Sequence, residues 1–221
     1  MVHARRSLVS NKLGIKQLRA VIGSSYGGRL PWQWAIQYPN EVKGIIPVIA
    51  SPCTLAGRRG MQYSLGIEPL LIGRTWDGSN YQEPPRNFSI AIMAYWIFTS
   101  EVNNLRNDTP TRELSLRHPR LAAKIAAKLD TNDGIYQLRA NDGFNASLAL
   151  DLIQTQVLAI AIDGDEMAPA ELGQLEETRL RPGKEIEVIL AKDFRGVTAA
   201  LQHEIEACAP KTKQFLKTLD Q

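Results

Sequence analysis

Apolar and polar positions along the chain fall into three regimes. Residues 18–22 (Leu-Arg-Ala-Val-Ile) are short, apolar and rich in branched side chains, and the Gly-rich turn Gly23-Ser-Ser-Tyr-Gly-Gly28 follows directly. Leu30, Trp34, Ala35 and Tyr38 then recur at helical spacing, until Pro39-Asn40 ends the pattern. Residues 44–50 (Gly-Ile-Ile-Pro-Val-Ile-Ala) are apolar throughout. A strand that is apolar on both faces suits a parallel sheet covered by helices. The stretch 13–52 thus predicts strand, tight turn, helix, strand, a βαβ unit.

From residue 54 to 150 branched strands give way to helical stretches, notably 88–103 and 119–129, separated by turn-rich joints at 76–80, 84–85 and 141–143. From residue 152 the alternation returns. Residues 156–162 predict a buried strand that ends at Asp163-Gly-Asp165. Residues 171–181 predict a helix stopped by Pro182-Gly183, residues 185–190 a strand, and 198–219 a helix that Pro210 breaks or kinks. The expected class is α/β, with a mostly parallel sheet flanked by helices. Residues 1–53 and 151–221 would form the core, and 54–150 a helical insertion.

Composition narrows the function classes. With 44% hydrophobic and 22% charged residues, the chain of 221 residues reads as a globular domain large enough to bury a core. The net charge of +3 comes with no dense Lys/Arg run interleaved with aromatics, so a nucleic-acid partner is not expected. No run reaches the roughly 20 apolar residues of a membrane span. Cys53 and Cys208 have no metal-type spacing and read as small buried residues in a reducing, cytoplasmic setting. The histidines are too scattered to suggest a metal site, and neither metal nor cofactor is implied.

Gly23-Ser24-Ser25-Tyr26-Gly27 matches G-x-S-x-G with Ser25 at its centre. Between a strand and a helix, this pattern makes a strained turn that lifts the serine hydroxyl to the carboxyl edge of the sheet. A serine nucleophile needs a base, and the base an orienting carboxylate, in the chain order Ser, acid, His. Asp163 and Asp165 both follow the late strand, and Asp165 falls deeper in the loop. His3 precedes Ser25 and His118 precedes the acid, so His203 alone satisfies the order, although it lies in a predicted helix. A loop carboxylate that caps the next helix and a solvent-facing helical histidine are the plain alternatives for these two residues.

The stretch from Leu13 to Gly28 resembles the homoserine O-acetyltransferase family, and Trp34-Ala-Ile-Gln-Tyr-Pro39 resembles that family's helix after the turn. Further similar stretches are Trp76-Asp-Gly-Ser-Asn-Tyr81, Leu129-Asp-Thr-Asn-Asp133, Tyr136-Gln-Leu-Arg-Ala140 and Leu158-Ala-Ile-Ala-Ile-Asp-Gly-Asp-Glu166. The likeness is to hydrolase-like relatives within that family. It implies an α/β-hydrolase core, a helical lid and acyl transfer from a small-molecule ester or acyl donor through an acyl-serine. Ser25 is then the nucleophile, Asp165 the acid and the Tyr26 N–H an oxyanion donor.

Two departures from the family pattern qualify this. The family's late Gly-His pair falls at Gly196-Val197, so the general base is replaced by an isopropyl group unless His203 substitutes. Loss of the base leaves about 10³–10⁴-fold of catalysis over water. The chain also begins close to the elbow strand. The preceding half-sheet is therefore expected to be absent, and with it a second oxyanion donor worth about 10²–10³-fold in rate. Residues 18–22 would then form an exposed apolar edge, through which a homo-oligomer is expected. The alternative function is an inactive truncated homologue that acts as a binding or assembly module. A flavodoxin-like domain with a phosphate-holding turn is a third reading, and the missing Lys-Ser/Thr after Gly28 excludes a P-loop. Tyr81, Trp96 and Tyr136 are candidates for lining an acyl pocket, or simply for core.

Overall fold

The computed structural model describes residues 1–53, 57–72, 76–83, 85–99, 102–161 and 197–220. The chain divides into two compact units. The first takes Met1–Thr54, Phe144–Phe194 and Ala199–Gln221, and the second Leu55–Gly143 and Arg195–Thr198.

The first unit opens with helix α1 (Val2–Ser7), continued by a π-helical turn at Leu8–Lys12. Strand β1 (Leu18–Ser24) leads through a 3-10 turn (Ser25–Gly28) into α2 (Arg29–Gln37). A second 3-10 turn (Pro39–Glu41) precedes β2 (Val42–Val48), and β3 is Gln156–Val157. The described sheet is wholly parallel, in the order β1-β2-β3. Its central strand β2 is buried almost throughout, as expected of a strand covered on both faces. One face packs Ile45 against Trp34, Ala35 and Val157, and the other packs Ile46 and Val48 against Leu158, Ile160 and Cys208.

The third strand is shorter than its apolar run predicts, yet its ladder goes on. Leu158 N–H donates to Ile45 O at 3.0 Å, Ile160 N–H to Pro47 O at 2.9 Å and Ile49 N–H to Ile160 O at 2.8 Å. Pro47 faces β3 in this ladder and has no N–H to give, so regular pairing is interrupted there.

The last helix of the described chain, numbered α9 below, spans Val197–Thr218 and runs unbroken through Pro210, where the sequence predicts a break or kink. Packing on both sides of the proline offsets the lost bond: Cys208 belongs to the cluster around Ile46 and Ile160, and Phe215 and Leu216 pack against that cluster. The predicted elements at 171–181 and 185–190 lie outside the described residues.

The second unit is helical, as its texture predicts: α3 (Arg58–Leu71), α4 (Phe88–Thr99), α5 (Val102–Asp108), α6 (Arg112–Ser115), α7 (His118–Ala126) and α8 (Thr131–Asp142). Its own core gathers Leu70, Phe88, Ala91, Ala126 and Ile135. Among the described residues, no helix is long and apolar enough to cross a membrane.

Candidate active site

Ser25 stands where the sequence places a nucleophile. It is the first residue after β1, it is exposed, and its backbone holds φ 53°, a left-handed value uncommon for any residue but glycine. Only one of the two glycines that the motif singles out is sterically required. A Cβ on Gly23 would overlap the carbonyl oxygen of Gly27, so the strand and the turn meet backbone on backbone. A Cβ on Gly27 itself would meet nothing within 4 Å. The second close approach is at Gly28, where a Cβ would lie 2.5 Å from Ala50 Cβ and 2.9 Å from Val48 O. The motif does not mark Gly28, because its neighbours come from the end of another strand.

Tyr26 is the second residue of the 3-10 turn. The first N–H groups of a helical segment have no intrahelical acceptor, and the Tyr26 N–H is among them, beside the serine. Arg29 opens α2 and is only 3% exposed, with its guanidinium 5.0 Å from the ring centroid of Phe144. A buried cation at a helix N-terminus opposes both solvation and the helix dipole. Nothing in the sequence pattern marks it.

His203 lies in α9, and the packing of that helix fixes its direction. Its C-terminal end meets the start of β2: Lys43 Nζ donates to Leu219 O at 3.4 Å, and a Cβ at Gly44 would lie 2.6 Å from Leu219 Cδ1. Arg19 ties the same end to β1, donating to Leu216 O at 2.8 Å and pairing with Asp220 at 2.5 Å. Cys208 packs with Val48 and Ile160, at the far end of β2. The helix is therefore antiparallel to the strands. Five residues before Cys208, the backbone of His203 stands about 7.5 Å further along the axis, toward the carboxyl edge that Ser25 occupies. Asp163 and Asp165 lie outside the described residues, as do the side chains of Val197 and His203.

The remaining candidates have partners of their own. His3 Nδ1 is 3.0 Å from Tyr38 Oη in the first unit. In the second unit the His118 ring packs edge-on against Trp96, with centroids 5.5 Å apart. Tyr81 donates to Asp130 Oδ1 at 2.9 Å and accepts from the Thr131 N–H at 3.2 Å. Trp76 Nε1 donates to Asn132 Oδ1 at 3.1 Å, and Asn132 Nδ2 to Asn80 Oδ1 at 3.2 Å. The Arg139 guanidinium lies 5.2 Å from the Trp76 ring centroid. Two of the family-like stretches, 76–81 and 129–133, thus meet in one hydrogen-bonded scaffold that includes Tyr81, and Arg139 of a third lies over its Trp76 ring, whereas Tyr136 is 56% exposed. Cys208 is buried as expected, but Cys53 is only half-buried, because it sits in the turn after β2. No cluster able to hold a metal ion occurs among the described residues.

The backbone of the chain superposes on known structures. Homoserine O-acetyltransferase from Bacillus anthracis superposes with a TM-score of 0.78 at 21% identity, over 97% of this chain and 64% of that one. Esterase E22 superposes with a TM-score of 0.81, also at 21% identity, over 97% of this chain and 65% of its own. The fold is the α/β-hydrolase fold. No family model matches the chain. In sequence it is 28% identical over 193 residues to a probable acyltransferase of Methanothermobacter thermautotrophicus, covering 84% of this chain and 57% of that protein. In sequence the chain is also 28% identical over 201 residues to homoserine O-acetyltransferase of Methanocorpusculum labreanum, covering 79% of this chain and 40% of that protein. It spans less than two thirds of the length of these relatives.

Proposed function

We propose that the chain transfers or hydrolyses a small acyl group through an acyl-serine at Ser25. The observation that carries this reading is the left-handed Ser25 at the end of β1, exposed and held by the close approach of Gly23 to Gly27. In the proposed reaction Ser25 Oγ attacks the carbonyl carbon of an ester or thioester. His203 takes the hydroxyl proton, and Asp165 orients the imidazole. The oxyanion is met by the Tyr26 N–H. The tetrahedral intermediate collapses, the leaving alkoxide or thiolate receives the proton from His203, and the serine keeps the acyl group. Water or an acceptor hydroxyl, deprotonated in turn by His203, then attacks the acyl carbon, and the Ser25 Oγ–acyl bond breaks as His203 returns the proton to Oγ. The helical unit would be the lid that the family resemblance implies. The similar proteins include both an acetyltransferase and an esterase, which supports this reaction class without choosing the acceptor.

A second reading rests on Val197, which the resemblance aligns with the family's histidine: a protein that keeps the fold and binds without turnover. Hydrolysis of 4-nitrophenyl acetate separates the two. Turnover that Ser25→Ala abolishes and His203→Ala reduces by about 10³-fold or more supports the acyl-serine reading. Folded protein without turnover supports the second.

A further inference from the structure

Two of the described residues other than glycine hold a left-handed backbone, Ser25 at φ 53° and Ile49 at φ 50°. They are not independent. Ser24 pairs with Val48 in the β1–β2 register, so Ser25 and Ile49 are the next residues on two neighbouring parallel strands. The elbow accounts for Ser25. Ile49 is a β-branched residue in a conformation that glycine adopts freely, so the surrounding structure must impose it.

The restraints on Ile49 are visible. Its N–H donates to Ile160 O at 2.8 Å, and its side chain packs on the cluster of Val48, Ile160 and Cys208. The carbonyl of the next residue, Ala50, accepts from the indole Nε1 of Trp32 at 2.8 Å. Trp32 is fully buried and belongs to α2, the helix that leaves the elbow. Ala50 also presses on the elbow directly, since a Cβ at Gly28 would lie 2.5 Å from the Ala50 Cβ. The turn at Ile49 therefore delivers Ala50 to both ends of one contact, with its methyl group against Gly28 and its carbonyl on Trp32.

We infer that Ile49 is a positioning residue for Ser25: its left-handed turn, clamped by the Trp32–Ala50 hydrogen bond, holds the elbow helix against the end of β2. The placement of the Ser25 hydroxyl and the Tyr26 N–H then depends on a residue at the end of the neighbouring strand. The inference rests on the acyl-serine reading for its catalytic meaning, but its structural content is independent of that reading.

The test removes the clamp and then relieves the strain. Trp32→Phe keeps an aromatic ring and deletes the donor, which lets Ile49 relax to an ordinary φ. Adding Ile49→Gly supplies a residue that enters the left-handed turn without strain. Fluorophosphonate labelling of Ser25 at saturating probe is expected to slow at least tenfold in Trp32→Phe, with the half-saturating concentration unchanged. It should recover most of that loss in Trp32→Phe/Ile49→Gly. Amide hydrogen exchange across residues 23–29 should rise in the single variant and fall back in the double. A role in packing alone gives the opposite order, because Ile49→Gly strips a further side chain from the core. A double variant worse than the single, or a single variant that exchanges and labels like the parent, overturns the inference.

If the parent fails to label, the acyl-serine reading falls, and exchange alone decides the question. If Trp32→Phe does not fold, Ile49→Val and Ile49→Asn provide the same comparison. Asn tolerates the left-handed region, so exchange at 23–29 should be faster in Val than in Asn, and the reverse order counts against the inference.

Discussion

Gly23 lies against the carbonyl of Gly27, so closely that a Cβ on the first would overlap the oxygen of the second. This contact folds the end of β1 back over the start of the elbow turn and leaves Ser25 at the apex. Because the obstacle is backbone, no side-chain rotation can relieve it. Gly23→Ala is therefore expected to cost about 3 kcal/mol or more, seen as a fall of roughly 6–10 °C in Tm. Gly28→Ala should behave similarly, because Val48 O and Gly23 O also crowd it. Gly27→Ala, in open space, should stay within about 1 kcal/mol of the parent. Thermal unfolding followed by circular dichroism checks all three. Equal losses at Gly23 and Gly27 would contradict the geometry.

Arg6 makes a two-pronged contact with Glu41, Nε to Oε2 at 3.0 Å and a terminal nitrogen to Oε1 at 2.7 Å. The hydrogen bond from Arg6 holds the Glu41 carboxyl below its ordinary range. The pair joins α1 to the start of β2. A carboxylate with a lowered folded pKa stabilises fully above its unfolded value, and that contribution disappears as pH falls through the folded value. The difference in Tm between the parent and Glu41→Gln should therefore be small but measurable at pH 7 and should shrink as pH falls below the ordinary carboxylate range. A difference that grows on acidification would contradict this.

Among the described residues β1 pairs with β2 alone, and its Ile22 is 61% exposed. Strand edges with apolar side chains recruit further strands. We expect the chain as given to associate through this edge. Light scattering at tens of micromolar should report a mass above the 24.6 kDa of one chain, and Ile22→Lys should lower it. A clean monomer would contradict the expectation.

What the sequence made legible was local. The branched run before Gly23 and the helical spacing after Gly28 depend only on neighbouring residues, and both elements appear close to their expected bounds. The features it hid depend on partners distant in sequence. Gly28 is constrained by Ala50, Ile49 is held by Ile160 and Trp32, and Pro210 is carried through a helix that β2 supports. The shortness of β3 was also hidden, although Pro47 was in plain view, because only the register shows which side its missing N–H faces. Likewise, the spacing of Tyr81 could not disclose that its hydroxyl is tied to Asp130.

Intact-mass spectrometry after exposure to a fluorophosphonate probe tests whether Ser25 is an activated nucleophile. One adduct per chain is expected, absent in Ser25→Ala and strongly slowed in His203→Ala. Folded protein that gains no mass would contradict it, and would leave the elbow as a turn without chemistry.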